Sequence, residues 1–392
     1  MTHEPMAAGP ASGPAGDDPV LHLRGPVLVG PDEVAGQAWV VHGRITFENP
    51  TSAMTGTGPL GDVRVVDGWV LPGLVDAHCH VGLDATGAVD RATQETQART
   101  DLAGGTMLIR DAGSPADTRW IDEREDLPRI VRAGRHIART RRYLKGVGHE
   151  VEPEQLADAV RQEAARGDGW VKLVGDWIDR ELGDLAPCWP LGALREAIAA
   201  AHAAGARVTA HCFGEDCLPD LIEAGIDCIE HATGLTDESV TAAAARGVAI
   251  VPTLVNIHNF PGYADAGQDK FPTYANHMRR LHEQRYATVR DAYDAGVAIF
   301  VGTDAGTAVA HGLVTEEVAE LVRAGLPATS ALDAACWGAR SWLRRPGLDE
   351  GAPADLLVYP ADPRQDVAML AHPSLRMLRG RTVAASVAEQ AG

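Results

Sequence analysis

The spacing of apolar positions changes twice along the chain. From Val20 to Val70 it reads as short strands and turns, with no helical period. Ala38-Trp39-Val40-Val41 followed by His42-Gly43-Arg44-Ile45 reads as strand, turn, strand. Val63–Val66, Asp67-Gly68 and Trp69-Val70 read as a hairpin on an Asp-Gly turn. After Leu71, short apolar runs alternate with longer amphipathic stretches, the signature of βα units on a parallel sheet. Strands are expected at Leu74–His78, Thr106–Arg110, His136–Thr140, Trp170–Val174, Arg207–His211, Cys228–His231, Val248–Thr253 and Val297–Gly302. Helices are expected at Gln94–Ala103, Pro153–Ala165, Leu191–Ala204, Leu218–Ala224, Asp237–Ala245, Tyr274–Ala295 and Glu316–Ala324, with a weaker helical pattern over Pro115–Arg132. Past Arg345 the pattern is strand-like again, at Ala354–Tyr359 and Leu375–Leu378.

This order predicts an α/β fold: a TIM-type (β/α)₈ barrel with a small flanking β-sandwich domain built from both chain ends. The expected division is a disordered tail over residues 1–18, a composite β domain from 19–70 plus 346–392, and the barrel over 71–345. A doubly wound open sheet is the alternative. No G-x-G-x-x-G follows an early strand, which weakens a dinucleotide site.

Composition narrows the function classes. Apolar residues make up 45% and charged residues 23%, ordinary for a globular protein. The net charge of −19 repels phosphate backbones and anionic membranes, so neither nucleic acid nor membrane is an expected partner. No apolar run approaches the ~20 residues of a membrane span. The Ala-, Gly- and Pro-rich stretch Met1–Asp18 has no basic n-region or apolar h-region, so a cytoplasmic location is expected. The six cysteines form no C-x-x-C pair and no disulfide framework, and read as small buried residues in a reducing compartment.

Candidate chemistry collects at the strand ends. His78-Cys79-His80 closes the first barrel strand, and residues two apart in a strand point to one face, so both imidazoles can reach one ion. His211 ends strand five, His231 ends strand six and Asp304 follows strand eight. The C-terminal strand ends form the active-site face of barrel enzymes, and four histidines with one aspartate there suit zinc or a similar divalent ion. Lys172 lies inside the otherwise apolar run Trp170–Val174. Burial as a cation is costly, so its pKa should fall, leaving a nucleophilic amine able to take up carbon dioxide as a carbamate that bridges two metals. The plain alternative is a lysine that snorkels to water.

These residues, in this order, resemble the amidohydrolase superfamily over nearly the whole chain. Leu71–His80 looks like its opening motif, Trp170–Val174 its carbamylated-lysine strand, and Ile229-Glu230-His231 and Val301–Gly306 its sixth- and eighth-strand motifs. Ala354–Tyr359 looks like the tail that returns to the β domain. Arg110-Asp111-Ala112-Gly113 and Gly146-Val147-Gly148-His149 are similar to segments of the prolidase-like and imidazolonepropionase-related branch. The resemblance implies that His78, His80 and Asp304 bind one metal, His211 and His231 a second, and Lys172, N6-carboxylated as a carbamate, bridges them. It implies two divalent ions, Zn²⁺ foremost, with a bridging hydroxide as nucleophile and Asp304 as general base and acid. His149 would add a hydrogen bond to substrate.

The implied activity is hydrolysis of an amide or peptide-type C–N bond in a small molecule, such as an N-acyl amino acid or dipeptide. Lactone, ester or phosphoester hydrolysis on the same metals, heterocycle deamination and a non-catalytic scaffold are the alternatives. Two departures bear on these. The lysine strand runs on into Gly175-Asp176-Trp177 rather than a Ser-Gly-Gly loop, so the substrate is expected to differ from a simple dipeptide. Position 214, three after the fifth-strand histidine, is Gly rather than the glutamate of deaminases, and Glu215 lies one place on. Trp177, Trp189, Asn256, His258 and Tyr263 are candidates for the pocket, each with core or loop filling as the plainer reading. Homo-oligomers are common among such enzymes.

Overall fold

The computed structural model describes residues 20–50 and 63–383. The segment Met1–Asp18, read as a tail, lies outside the described residues.

Apolar runs without polar alternation become parallel strands covered on both faces. Leu74–Cys79, Thr106–Asp111, Trp170–Val174 and Cys228–His231 are buried at every position. Leu74–Cys79 pairs with Thr106–Asp111, which pairs with Arg129–Arg132, all parallel. A second parallel set runs His149–Val151, Ile137–Arg139, Trp170–Val174, Arg207–Cys212, Cys228–His231, Ala249–Val251 in spatial order. The seven principal expected helices form within a few residues of their expected limits, from Arg91–Ala103 to Val314–Arg323. Their apolar faces and the strands share one large cluster that includes Leu74, Val171, Leu173, Val208, Ile229 and Leu321.

Three local expectations are overturned. Pro115–Arg132 is not a helix: it holds a 3₁₀ turn at Arg119–Glu123 and the strand Arg129–Arg132. Pro128 disfavours helical geometry at Leu127, and Arg132 turns back to bond Thr118 and Asp122. Val297–Gly302 is no regular ladder strand. It makes one bridge, Ile250–Ile299, and then bonds across to the first strand through Ala77 N–H to the Val301 carbonyl. A Cβ on Gly302 would lie 2.5 Å from Val251 Cγ1 and 2.6 Å from His78 Cβ, so the backbone passes where no side chain fits.

The third is the Asp67-Gly68 hairpin. Arg64–Asp67 and Trp69–Pro72 do not pair with each other; both run parallel to Leu21–Leu28. Gly68 (φ +142°) faces Gly25 (φ +146°), where a Cβ on Gly25 would sit 2.4 Å from the Gly68 carbonyl oxygen. The two glycines make a bulge that lets the chain continue instead of reversing. The expected turn at His42-Gly43 does form, joining Val34–Val41 to Arg44–Thr46. Trp69–Pro72 pairs antiparallel with Leu356–Tyr359, which pairs with Leu375–Leu378, so both chain ends meet in one eight-stranded sheet. That sheet has its own core of Leu23, Val27, Val40, Val70, Leu356 and Val358.

Candidate functional site

Three histidines at strand ends are each anchored from behind. His78 Nδ1 donates to Glu230 Oε2 at 2.7 Å, His80 Nδ1 donates to the Gly113 carbonyl at 2.7 Å, and His231 Nδ1 pairs with Thr253 Oγ1 at 2.7 Å. Acceptors behind Nδ1 leave Nε2 as the free lone pair, the arrangement that prepares a histidine for a metal. The Nε2 atoms converge. Those of His78 and His80 are 3.1 Å apart and lie 3.0 and 2.9 Å from Asp304 Oδ1. His231 Nε2 lies 2.9 Å from His211 Nδ1. His78, His231 and Asp304 offer ligand atoms mutually within 4.8 Å. Bare lone pairs this close repel, and an imidazole–carboxylate set is the donor chemistry of zinc-type ions, so these residues fit a divalent cation.

The electrostatics beneath are those of a dry site. Lys172 is buried on Trp170–Val174, in register with Thr209 on Arg207–Cys212. Burial lowers its amine pKa against the opposing pull of Glu230 and Asp304. Burial followed by the charge of Lys172 brings His211 down to about 3, and burial followed by His211 holds His231 well below its ordinary value; against burial and Lys172, the carboxylates Glu230 and Asp304 raise His78. Glu230 is fully buried, which alone would raise it, yet Arg110 and His78 hold it well below the usual carboxylate range. Arg110 NH2 donates to Glu230 Oε1 at 2.6 Å, its Nε donates to the Ala77 carbonyl at 2.6 Å, and Thr209 donates to the same carboxylate. Three residues here are left-handed without being glycine: His231 (φ 64°), Thr253 (φ 47°) and Asp304 (φ 60°). Each costs of order 1–2 kcal/mol and is held by its surroundings.

Six sequence-predicted residues, His78, His80, Lys172, His211, His231 and Asp304, thus come to one place. His149 does not: its ring sits on Glu163 at 3.2 Å, on the helix Leu156–Arg166. His149 is not among the residues that line the cavity, whereas Tyr143, six positions earlier, is, its ring 5.9 Å from that of His211. His258 is likewise turned away, onto Glu320. Asn256 is brought in, donating from Nδ2 to Asp304 Oδ2 at 2.7 Å and accepting from Tyr263 OH at 3.1 Å. Trp177 reaches the cavity, whereas Trp189 is core, its indole donating to the Val174 carbonyl. All six cysteines are buried and free.

Sequence reasoning missed Glu230, although a glutamate inside the apolar run Cys228–His231 is the same signal that singled out Lys172. It also missed His136, fully buried with its ring 5.0 Å from that of His80. Both His136 nitrogens and His211 Nε2 lack a protein partner among the described residues. Such groups cost about 1–3 kcal/mol each unless something fills the gap.

Above this floor opens a cavity of about 520 Å³. Residues of the hairpin Asp176–Asp179/Asp184–Pro187, the helix Phe260–Gly267, the start of Pro272–Asp294 and the loop at Tyr143 form its wall. The wall is tied from outside. His277 bridges Asp184 (2.9 Å) and Glu215 (2.8 Å), and Arg142 donates to Asp179 and to the carbonyls of Trp177 and Ala186. No helix among the described residues is long and apolar enough to cross a membrane.

Comparison with known proteins adds four findings. The model of the amidohydrolase family matches residues 69–383. An uncharacterized protein of Mycobacterium tuberculosis is 56% identical over 92% of this chain and 95% of its own length. Among solved structures, a Xaa-Pro dipeptidase with bound methionine has a TM-score of 0.77 at 23% identity, covering 93% of this chain and 99% of that one. A putative prolidase from Bifidobacterium longum has a TM-score of 0.76 at 25% identity, covering 93% of this chain and 95% of that one.

Proposed function

This chain belongs to the amidohydrolase family and is a hydrolase; from that premise we propose that it uses two divalent ions to cleave an amide-type C–N bond. The observation that carries the reading is the convergence of Nε2 atoms on Asp304, each histidine fixed from behind. His78, His80 and Asp304 would hold one ion, and His211 and His231 the other. Lys172, whose pKa burial lowers, would react with carbon dioxide, a proton leaving the amine as the N–C bond forms, and the carbamate would supply further oxygen ligands. When bound, the ions supply Lewis acidity and bring the pKa of water towards neutrality. We read the two parallel sheets as arcs of one (β/α)₈ barrel, with the bridged segment after Val297 as its eighth stave. The eight-stranded sheet, with its strands between Leu21 and Pro72 and between Leu356 and Thr382, is then the flanking domain.

The remaining work falls to side chains. Glu230 and Arg110 fix the ring of His78, and Thr253 fixes that of His231. Asp304 Oδ2, on the side of Asn256, takes the proton of the attacking water and returns it to the leaving nitrogen. Glu215 is held by His277 and Arg280 and faces away from this cavity, which argues against deamination.

Metal analysis tests the reading directly: about two divalent ions per chain are expected. A panel of N-acyl amino acids, dipeptides, lactones and phosphoesters, with ammonia release scored separately, tests the reaction. Full activity with a single ion sinks the binuclear mechanism, and preference for lactones sinks the C–N assignment.

A further inference from the structure

We propose that the substrate of this site carries a bulky aromatic or apolar group that fills the cavity against its wall, with no anionic group held by that wall. The proposal rests on the hydrolase reading and names its substrate class. Six rings line the space: Tyr143, Trp177, Phe213, Tyr263, Phe271 and Tyr274. Tyr143, Trp177 and Phe213 come from three separate segments and Tyr263, Phe271 and Tyr274 from a fourth, so the aromatic character belongs to the cavity and not to one motif.

The polar inventory of the wall disfavours an anion held away from the proposed ions. No arginine is among the lining residues described, and the one lysine, Lys270, is exposed at the rim with its ammonium 5.1 Å from the Phe271 ring centroid. Arg142, behind the wall, is committed to Asp179 and two carbonyls. Asn256 and Tyr263 are bonded to each other and, through Asn256, to Asp304. Away from the proposed ion positions, a carboxylate held against this wall would lose water and find no buried cation, only the exposed Lys270. An aromatic group loses nothing by the same transfer and gains about 25 cal/mol for each Å² it removes from water. The cavity, at about 520 Å³, has the size of sites that enclose drug-sized molecules. His277 and Arg142 hold the wall in place before anything binds, so little ordering cost falls on the substrate.

The test uses the full-length, metal-loaded chain and four probes: 2-naphthoyl anilide, acetanilide, N-acetylglycine and the dipeptide Ala-Pro. Hydrolysis is read as kcat/KM and binding as calorimetric Kd. The naphthoyl anilide should exceed the other three by about tenfold or more in kcat/KM, the scale of added apolar contact. Phe271→Ala should narrow its lead over acetanilide through KM, and Ile178→Lys, which places a cation in the wall, should shift preference towards N-acetylglycine. Equal or better hydrolysis of N-acetylglycine or Ala-Pro overturns the proposal while leaving the hydrolase reading intact. If none of the four is hydrolysed, the amide assignment is what fails, and binding alone decides here. Naphthoyl anilide bound about tenfold more tightly than N-acetylglycine upholds the proposal, and equal affinity overturns it.

Discussion

The floor of the site is polar, almost wholly buried and tied together by side-chain hydrogen bonds; the wall above it is aromatic, partly open and tied together from behind. Arg110, Glu230, Lys172 and His78 are all at most 1% exposed. Charges at that depth are costly unless each is paired, and each strained residue adds to the cost. The wall carries no such cost. Its rings bury apolar surface, and the ion pairs that position it, such as His277 with Asp184 and Glu215, lie at its outer side. The floor is therefore specified by chemistry and tolerates few substitutions, whereas the wall is specified by shape and can be rebuilt for another substrate without touching the ligands.

The comparison breaks most visibly at Lys172. Lys172→Ala should cut turnover by at least about a thousandfold, the scale of removing one member of a catalytic unit. A short carboxylic acid should restore part of it, read as initial rate against acid concentration. Unchanged turnover would place Lys172 outside the machinery. Glu230→Gln should come next. It leaves Arg110 buried without its counter-charge and should cost about 3–5 kcal/mol in urea unfolding, together with a roughly 10–100-fold loss in metal affinity through His78. A loss below about 1 kcal/mol would mean that the floor is not held by this pair.

The wall sharpens the contrast. His277→Gln should leave metal content at the wild-type level but raise KM for bulky amides several-fold. It should also change the pH profile of stability. The bonds to Glu215, and then to Asp184, raise the His277 pKa above its ordinary value against partial burial. The proton is thus held more tightly in the folded chain. The stabilisation is fully present below about pH 6.5, the unfolded value, and is lost as pH climbs through the raised folded value. The stability gap between wild type and His277→Gln, measured by urea melts, should shrink as pH rises from 6 to 9. A gap independent of pH would remove the ion pair from the account. The smallest effect belongs to neither region: Arg24→Ala breaks a fully exposed pair with Asp67 and should leave Tm where it was.

How legible each region was follows from the range of its causes. His78 and His80 were readable because the two-residue period of a strand acts locally. Lys172 was readable because a cation inside five apolar positions is conspicuous, and Glu230 was open to the same argument. The wall was mostly not readable. Tyr143 and Trp177 meet across a hairpin set by contacts such as His277 to Asp184, 93 residues apart. That Tyr143 lines the cavity and His149 does not depends on which way the chain between them carries its side chains, and motif spacing does not record that. The Asp67-Gly68 turn failed because the glycine opposite, Gly25, converts a reversal into a bulge, a pairing 43 positions long.

What the sequence determined by itself was the succession of most elements and the residues that gather at the site, since periodicity and buried charge are written in neighbouring residues. What tertiary structure alone decided was the left-handed backbone at His231, Thr253 and Asp304, the anchoring of each imidazole and the aromatic enclosure above them. Those depend on which distant segments touch, and the energy of a contact is fixed only once both partners are in place.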